Sequence, residues 1–413
     1  MSQEIAALHD PLVEITNEFL SNPHPTFAKM RSEAPIFWSN AGQYWIVTRY
    51  AEAKEILGSL KFQKNVQRWQ QTDPLIEKFP EMREVSESHK HWMLNMDPPD
   101  HSRLRALLNK AFTPLMVSQM RSHIQDIAND LIDRIEARGE VDAISEYTFP
   151  LPIIVIAEMM GIPHSDRDKF KEWSHAIVST TAPSGIPAPG GDLSKLRMNI
   201  AAHQELVRYF KPIVEERRKT PREDLISVLV HAEEDGHKLS EEELLANLIL
   251  LLVAGHETTT NLIANGIYSL LTHPDQLLLL KEKPELIESA VYEILRFEGP
   301  IQLVRRLAGE DIELGGQHIK KGDMVVVMLG ACNRDPNEFE NPDKFDITRF
   351  GKKHLAFSHG IHRCIGGHLA EAEGQIALQT IFTRLPDLRL KTDKVKWCLP
   401  FELHGLKELP VVF

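Results

Sequence analysis

The sequence predicts a mainly α-helical protein with a small β-rich part. Three observations carry that expectation. Apolar residues recur at helical spacing through five long stretches, roughly 103–137, 166–180, 195–218, 240–271 and 284–297. Strand-like alternation is confined to short runs near the two ends of the chain. The 413 residues contain no low-complexity linker that would divide them, so one unit is expected over 1–413. Its β-rich part is placed at about 34–60, 301–330 and 385–413, and its helical part at about 62–300 and 331–384.

Residues 1–20 carry Glu4, Asp10, Glu14 and Glu18, with neither a basic start nor an apolar run, so no signal peptide or membrane anchor is expected. Residues 35–38 and 44–47, separated by 39–42, read as a β-hairpin. The segment 62–94, with Trp69 and Trp92 near its ends, reads as a long loop. A second loop at 181–193, rich in Pro and Gly, reads as a disordered connector or a mobile lid. The most apolar stretch, 244–255, contains Asn247 and is too short for a bilayer, which takes about 20 residues, so it reads as a buried helix. Residues 311–314 and 317–319 form a second hairpin through Gly315-Gly316, followed by an apolar strand at 324–329. Strands from the two ends can then share one small sheet.

Composition narrows the function classes. With 42% hydrophobic residues the chain can bury a sizeable core, and a net charge of -12 gives no reason to expect nucleic-acid binding. Cys332, Cys364 and Cys398 sit at no disulfide-framework spacing, which suits a reducing compartment, the cytoplasm by default.

Cys364 stands in the run Phe357-Ser-His-Gly-Ile-His-Arg-Cys-Ile-Gly-Gly-His-Leu-Ala370. Zinc is one reading, since His359, His362 and His368 are near, although zinc ligands usually come in two spaced pairs. A buried structural thiol is another. Gly360, Gly366 and Gly367 favour a third, a tight loop that approaches a flat ligand and opens into a helix from about Ile365, whose N–H groups stabilise a thiolate. A lone thiolate on a haem iron favours O–O cleavage.

Three further segments stand out. Ala254-Gly255-His256-Glu257-Thr258-Thr259 puts an acid and two β-branched alcohols inside the apolar helix, against propensity and desolvation. Leu250, Ala254 and Thr258 recur every four residues and so share one stripe. Glu293 and Arg296 share a helix face at i and i+3. His101 and Arg105 lie four apart in Asp97-Pro-Pro-Asp-His-Ser-Arg-Leu-Arg105.

Together these residues resemble the cytochrome P450 superfamily, specifically its soluble bacterial type, along essentially the whole chain. Its Cys loop, F-G-x-G-x-H-x-C-x-G, matches at Phe357, Gly360, His362, Cys364 and Gly366, with Ser358 in place of the first glycine. A serine is strained there if the position has positive φ. After the loop, Glu371 stands where the family often has arginine, and Glu373 is retained. The resemblance implies haem b held between a long central helix and the Cys-loop helix, with Cys364 as its metal ligand. It implies that His101, Arg105, Arg306 and His362 meet the haem propionates, and that Glu257, Thr258 and Gly255 serve oxygen activation. It also implies that Glu293, Arg296 and Arg349 lock into a brace beneath the haem.

The activity implied is a monooxygenase that takes two electrons from a ferredoxin or flavodoxin, fed by an NAD(P)H-dependent reductase. It would hydroxylate or epoxidise a mainly apolar organic substrate with O2. A peroxide-driven peroxygenase and a non-catalytic haem sensor are the alternatives, and neither needs the Glu257-Thr258 pair. Leu250, Val253, Ala254, Gln302, Val304, Leu399 and Phe401 are the expected pocket walls. A monomer without membrane anchor or appended reductase is expected. Arg103, Lys110, Lys352, Lys353 and Arg363 are candidates for a positive docking patch.

Overall fold

The computed structural model describes residues 10–65, 80–178, 193–349, 351 and 353–413. The central element is the helix Glu241–Thr272. Its start is fixed by a capping box: Ser240 Oγ accepts from the Glu243 N–H at 3.1 Å, and the Glu243 carboxylate accepts from the Ser240 N–H at 3.0 Å. Helices Pro150–Met159, Ile287–Phe297, Leu193–Lys219 and Gly367–Arg384 pack on it. Its apolar residues are therefore buried on every side except where residues 253–258 meet an internal cavity.

Four of the five expected helices are found within a few residues: Arg167–Val178, Leu193–Lys219, Glu241–Thr272 and Ile287–Phe297. The fifth, 103–137, is two helices, Asp100–Asn109 and Pro114–Asp133. Pro114 disfavours α backbone at Thr113, which is extended and caps the second helix by accepting from the Met116 N–H at 3.2 Å. The helix Pro150–Met159 is additional. Its run Ile153-Ile-Val-Ile156 has strand propensity, but packing against the central helix prevails. Tyr50–Gly58, inside the stretch assigned to the β-rich part, is also a helix, with Tyr50, Ala53, Ile56 and Leu57 buried on one face.

The main sheet has five strands in the order Ile36–Ser39, Tyr44–Val47, Met324–Val327, Val304–Ala308, Phe62–Gln63. Strands from both ends of the chain do share it: Trp45 pairs in parallel with Val325, and Val47 with Val327. The second hairpin, Ile312–Leu314 with Gln317–Ile319, stands as a separate two-stranded ribbon. A three-stranded sheet joins Glu140–Asp142 to Pro410–Val412 and Arg389–Leu390.

The loop expected at 181–193 lies outside the described residues apart from Leu193, and so does Trp69. The remainder of 62–94 is not all loop, since it contains the helix Arg83–Lys90. Among the described residues no helix is long and apolar enough to cross a membrane.

Candidate functional site

Cys364 lies in a loop held from inside. Its N–H donates to Phe357 O at 2.9 Å, and the Ser358 N–H donates to Leu355 O at 2.8 Å. Gly360 has φ +72°, and a Cβ there would stand 2.3 Å from Leu57 O, so only glycine lets the loop press on the neighbouring helix. The following helix begins at Gly367, two residues later than expected, and the Gly366 N–H reaches the Cys364 sulfur. Burial pushes the Cys364 thiol pKa up, while that N–H, Arg105 and Arg363 pull it down. The sulfur faces the internal cavity.

The three nearby histidines do not act together. His359 packs on Gly58, His362 lines the cavity, and His368 contacts Glu371 at 3.3 Å. Among the described residues no three His, Cys, Asp or Glu side chains gather as a metal site, so the zinc reading lacks a ligand set.

Ser358 does take the glycine conformation, with φ +61°, and its Oγ is buried without a partner. Ser358→Gly is therefore expected to stabilise the protein by about 1 kcal/mol, measured as a raised denaturation midpoint at unchanged m-value.

At one rim of the cavity basic groups collect from separate segments. His101 is buried, neither ring nitrogen has a partner among the described residues, and its ring lies 4.2 Å from that of His362. Burial, with Arg105 next, lowers the His101 pKa to about 4. Burial, with Arg306 next, lowers that of His362 to about 2. Arg306 is buried beside them, while its neighbour Arg305 turns the other way, into an ion pair with Glu402.

The sequence reading missed Lys64. It lines the cavity, and burial, then Arg306 and Arg305, bring its pKa down to about 7. The nearby acid, Asp97, is already engaged by the backbone N–H groups of Lys64 at 2.8 Å and Asn65 at 3.0 Å. Buried Lys64 and Arg306, with half-buried Arg105, thus gather around His362 as a basic group short of negative charge, a costly arrangement unless an anion joins it.

The opposite wall is the central helix. Leu250, Ala254 and Thr258, the stripe their four-residue spacing defines, line the cavity together with Val253, Gly255 and Glu257. Thr258 Oγ1 donates to Ala254 O at 2.8 Å, so its lone pairs are what it offers to a partner in the cavity. Glu257 lies 3.8 Å from His175. Burial works to raise its pKa, but His175 and the adjacent His256 outweigh it and hold the carboxyl below its usual range. Asn247, the polar residue of the apolar run, bonds His91 O and the Met93 N–H at 2.8 and 3.0 Å and so fixes Trp92 in the cavity wall.

Three expected wall residues are elsewhere. Gln302 is buried outside the cavity and donates to Gly299 O at 2.8 Å. Leu399 is 65% exposed, and Phe401 packs on Phe19, with ring centroids 4.7 Å apart. Val304 does line the cavity, joined by Trp92, Leu94, Phe112, Ile156 and Leu403. Glu373, the acid that the family resemblance marks as retained, also lines the cavity, and burial raises its pKa to about 8.

Glu293, Arg296 and Arg349 meet. Arg296 spends all five of its N–H donors: two on the Glu293 carboxylate at 2.7 Å, and three on the carbonyls of Asn333, Pro342 and Lys344 at 3.0, 2.8 and 3.2 Å. Arg349 Nε adds a longer contact to Glu293 at 3.3 Å. Asn333 Oδ1 in turn accepts from the Leu355 N–H at 2.7 Å, which carries the brace into the Cys loop.

Of the expected positive patch, Arg103 is paired with Glu243 and Lys110 with Glu234, so neither presents an unpaired charge. Lys352 lies outside the described residues.

A thiol and an acid-alcohol pair on facing walls, with a cationic rim between them, define a haem-thiolate oxygenase site. The family model for cytochrome P450 matches residues 42–401, and the chain belongs to that family. It is similar to the biotin biosynthesis cytochrome P450 of Bacillus subtilis (strain 168), at 39% identity over 96% of this chain and 98% of the relative. It is also similar to the vitamin D(3) 25-hydroxylase of Pseudonocardia autotrophica, at 38% identity over 95% of this chain and 94% of the relative. Among solved structures, P450BioI in complex with a hexadec-9Z-enoic acid ligated acyl carrier protein superposes with a TM-score of 0.88 at 38% identity, over 96% of this chain and 99% of that one.

The family's cofactor is haem b, and the residues present fit it. The unpartnered His101 nitrogens and the anion-poor Lys64, Arg105 and Arg306 suit two propionates, and the Cys364 sulfur is open to the space beside them.

Proposed function

We propose that the chain is an oxygen-dependent monooxygenase in which Cys364 would hold the haem iron through its thiolate, and that it hydroxylates or epoxidises a mainly apolar organic molecule. One observation carries the reading: the Cys364 sulfur and the Glu257-Thr258 pair face one cavity from opposite walls. When bound, haem supplies the activation of molecular oxygen, with one atom inserted into the substrate and the other leaving as water.

The chain's own residues do the rest. His101, Arg105, Arg306, His362 and Lys64 would hold the propionates of the bound haem and so orient it. The Glu293-Arg296-Arg349 brace keeps the Cys loop rigid. Glu257, ionised at neutral pH, takes up protons at its carboxylate and passes them inward. The Thr258 hydroxyl, its own hydrogen committed to Ala254 O, accepts a hydrogen bond and so orders a water that completes the path. Trp92, Phe112, Ile156, Leu250, Val253 and Leu403 exclude bulk water and select apolar substrates. Relatives named for biotin biosynthesis and for vitamin D(3) hydroxylation, together with the acyl-carrier complex, favour a long acyl chain or a molecule of the vitamin D(3) kind. A ferredoxin or flavodoxin with its NAD(P)H-dependent reductase supplies the electrons. The acid-alcohol pair favours this reading over peroxide-driven or sensor function.

Thr258→Ala tests it. The variant is expected to keep consuming NAD(P)H while product per electron pair falls roughly 10²-fold and peroxide accumulates instead. Unchanged coupling in that variant would remove the proton-delivery role.

A further inference from the structure

Two consecutive residues of the helix Arg167–Val178 grip two consecutive residues of the central helix immediately before Thr258. Ser174 Oγ lies 2.8 Å from His256 Nδ1, with both residues fully buried. His256 is further held edge-on by Phe149, with ring centroids 4.6 Å apart at 90°. One residue on, His175 Nδ1 stands 3.8 Å from Glu257 Oε1. The His175 side chain is 71% exposed and that of Glu257 17%, so the imidazole stands between bulk water and the carboxylate. Glu257 in turn lines the cavity beside Thr258.

Resting on the oxygenase reading above, we infer that His175 is the outer member of the proton route, feeding Glu257 from solvent. Its Nε2 binds a proton from bulk water, and its Nδ1 releases one to the Glu257 carboxylate. As one proton binds at Nε2 a different one leaves from Nδ1, the ring ends as the other neutral tautomer, rotation of the exposed ring resets it for the next proton, and no electron changes hands. Imidazole is suited to this because it gains and loses a proton near pH 6.5 and carries its two nitrogens on separate edges. The groups facing Glu257 are His175 from the neighbouring helix, His256 from its own, and Cys398 from the C-terminal segment, whose thiol pKa is raised by burial and then by the Glu257 charge. Among these described groups His175 is the one that reaches solvent with an imidazole, its side chain 71% exposed. The Ser174–His256 contact is the positioning element: it fixes the register of the two helices that sets His175 opposite Glu257.

The test measures oxygen consumption and peroxide yield of the holoenzyme with a ferredoxin, its NAD(P)H-dependent reductase and myristic acid as added probe, in H2O and D2O. The partition of oxygen into peroxide reads proton delivery whether or not the probe is oxidised. His175→Gln is expected to lower oxygen consumption about tenfold, raise the peroxide fraction and widen the solvent isotope effect. His175→Arg retains a cation beside Glu257 but cannot release a proton. It should match the native melting temperature and still be slow. Native rate and peroxide yield in either variant would overturn the relay. Thr258→Ala in the same assay separates the two claims. If it raises peroxide while the His175 variants do not, only the outer relay fails; if it does not raise peroxide, the proton-delivery role of the Glu257-Thr258 pair, on which the relay rests, fails with it.

Discussion

Arg296→Ala is expected to cost about 3–5 kcal/mol of stability and to yield protein without haem. The magnitude follows from what is left behind. Glu293 is fully buried, and removing the guanidinium strands its carboxylate with only the Asp346 N–H at 3.0 Å and the Arg349 Nε at 3.3 Å. Three backbone carbonyls, of Asn333, Pro342 and Lys344, lose their donor as well. Because Asn333 also holds Leu355, the slackening passes into the loop that presents Cys364. Arg296→Lys is expected to fare little better, since an ammonium has three donors on one atom and cannot span these acceptors. Arg349→Ala should cost less, because its Nε stands 3.3 Å from each Glu293 oxygen, its other donors reach exposed carbonyls such as Glu340 O at 2.8 Å, and its side chain is partly exposed. Chemical denaturation and haem content per chain measure both. Normal haem content in Arg296→Ala would show that the brace does not support the loop.

Cys364→Ala is expected to abolish oxygen insertion while leaving the protein folded. The contrast with Arg296 is physical. The sulfur faces the cavity, and its local role is to accept the Gly366 N–H, so its loss should change stability by no more than about 1 kcal/mol. Activity disappears all the same, because the alanine side chain offers no ligand. The melting curve and the carbon monoxide difference spectrum are the paired measurements. A native-like melt without the thiolate-type band is the expected result. A retained thiolate band would mean that another thiol, Cys332 or Cys398, serves as ligand. Burial and neighbouring charge make that improbable for Cys332, whose thiol pKa is raised well above its usual value.

The residues that were legible in advance are those whose chemistry is written at short range. Glu257-Thr258 offends helix propensity where it stands, Glu293 and Arg296 share a face by spacing alone, and Cys364 sits among glycines whose backbone needs are local. What could not be read is which way a side chain turns when its direction depends on pairing far along the chain. Gln302, Val304, Arg305 and Arg306 are near neighbours, yet Val304 and Arg305 line the cavity, Arg306 joins the histidine cluster and Gln302 lies outside. Their directions are set by pairing with Val325–Val327 on one side and by the Glu402 contact on the other. In a strand a shift of one residue exchanges the faces. Leu399 and Phe401 were misplaced for the same reason, on a segment whose course depends on the N-terminal helices that Phe401 packs against.

The sequence by itself determined the family, the long central helix, the glycine-set loop around Cys364 and the identity of the acid-alcohol pair, because each depends on residues a few positions apart. Only the tertiary structure decided that Lys64 joins the basic rim of the cavity and that His175 faces Glu257. It also decided that Arg296 uses every donor it has. Those facts rest on groups brought together from distant segments, where burial raises the cost of an unpaired charge and so selects partners that no local pattern announces.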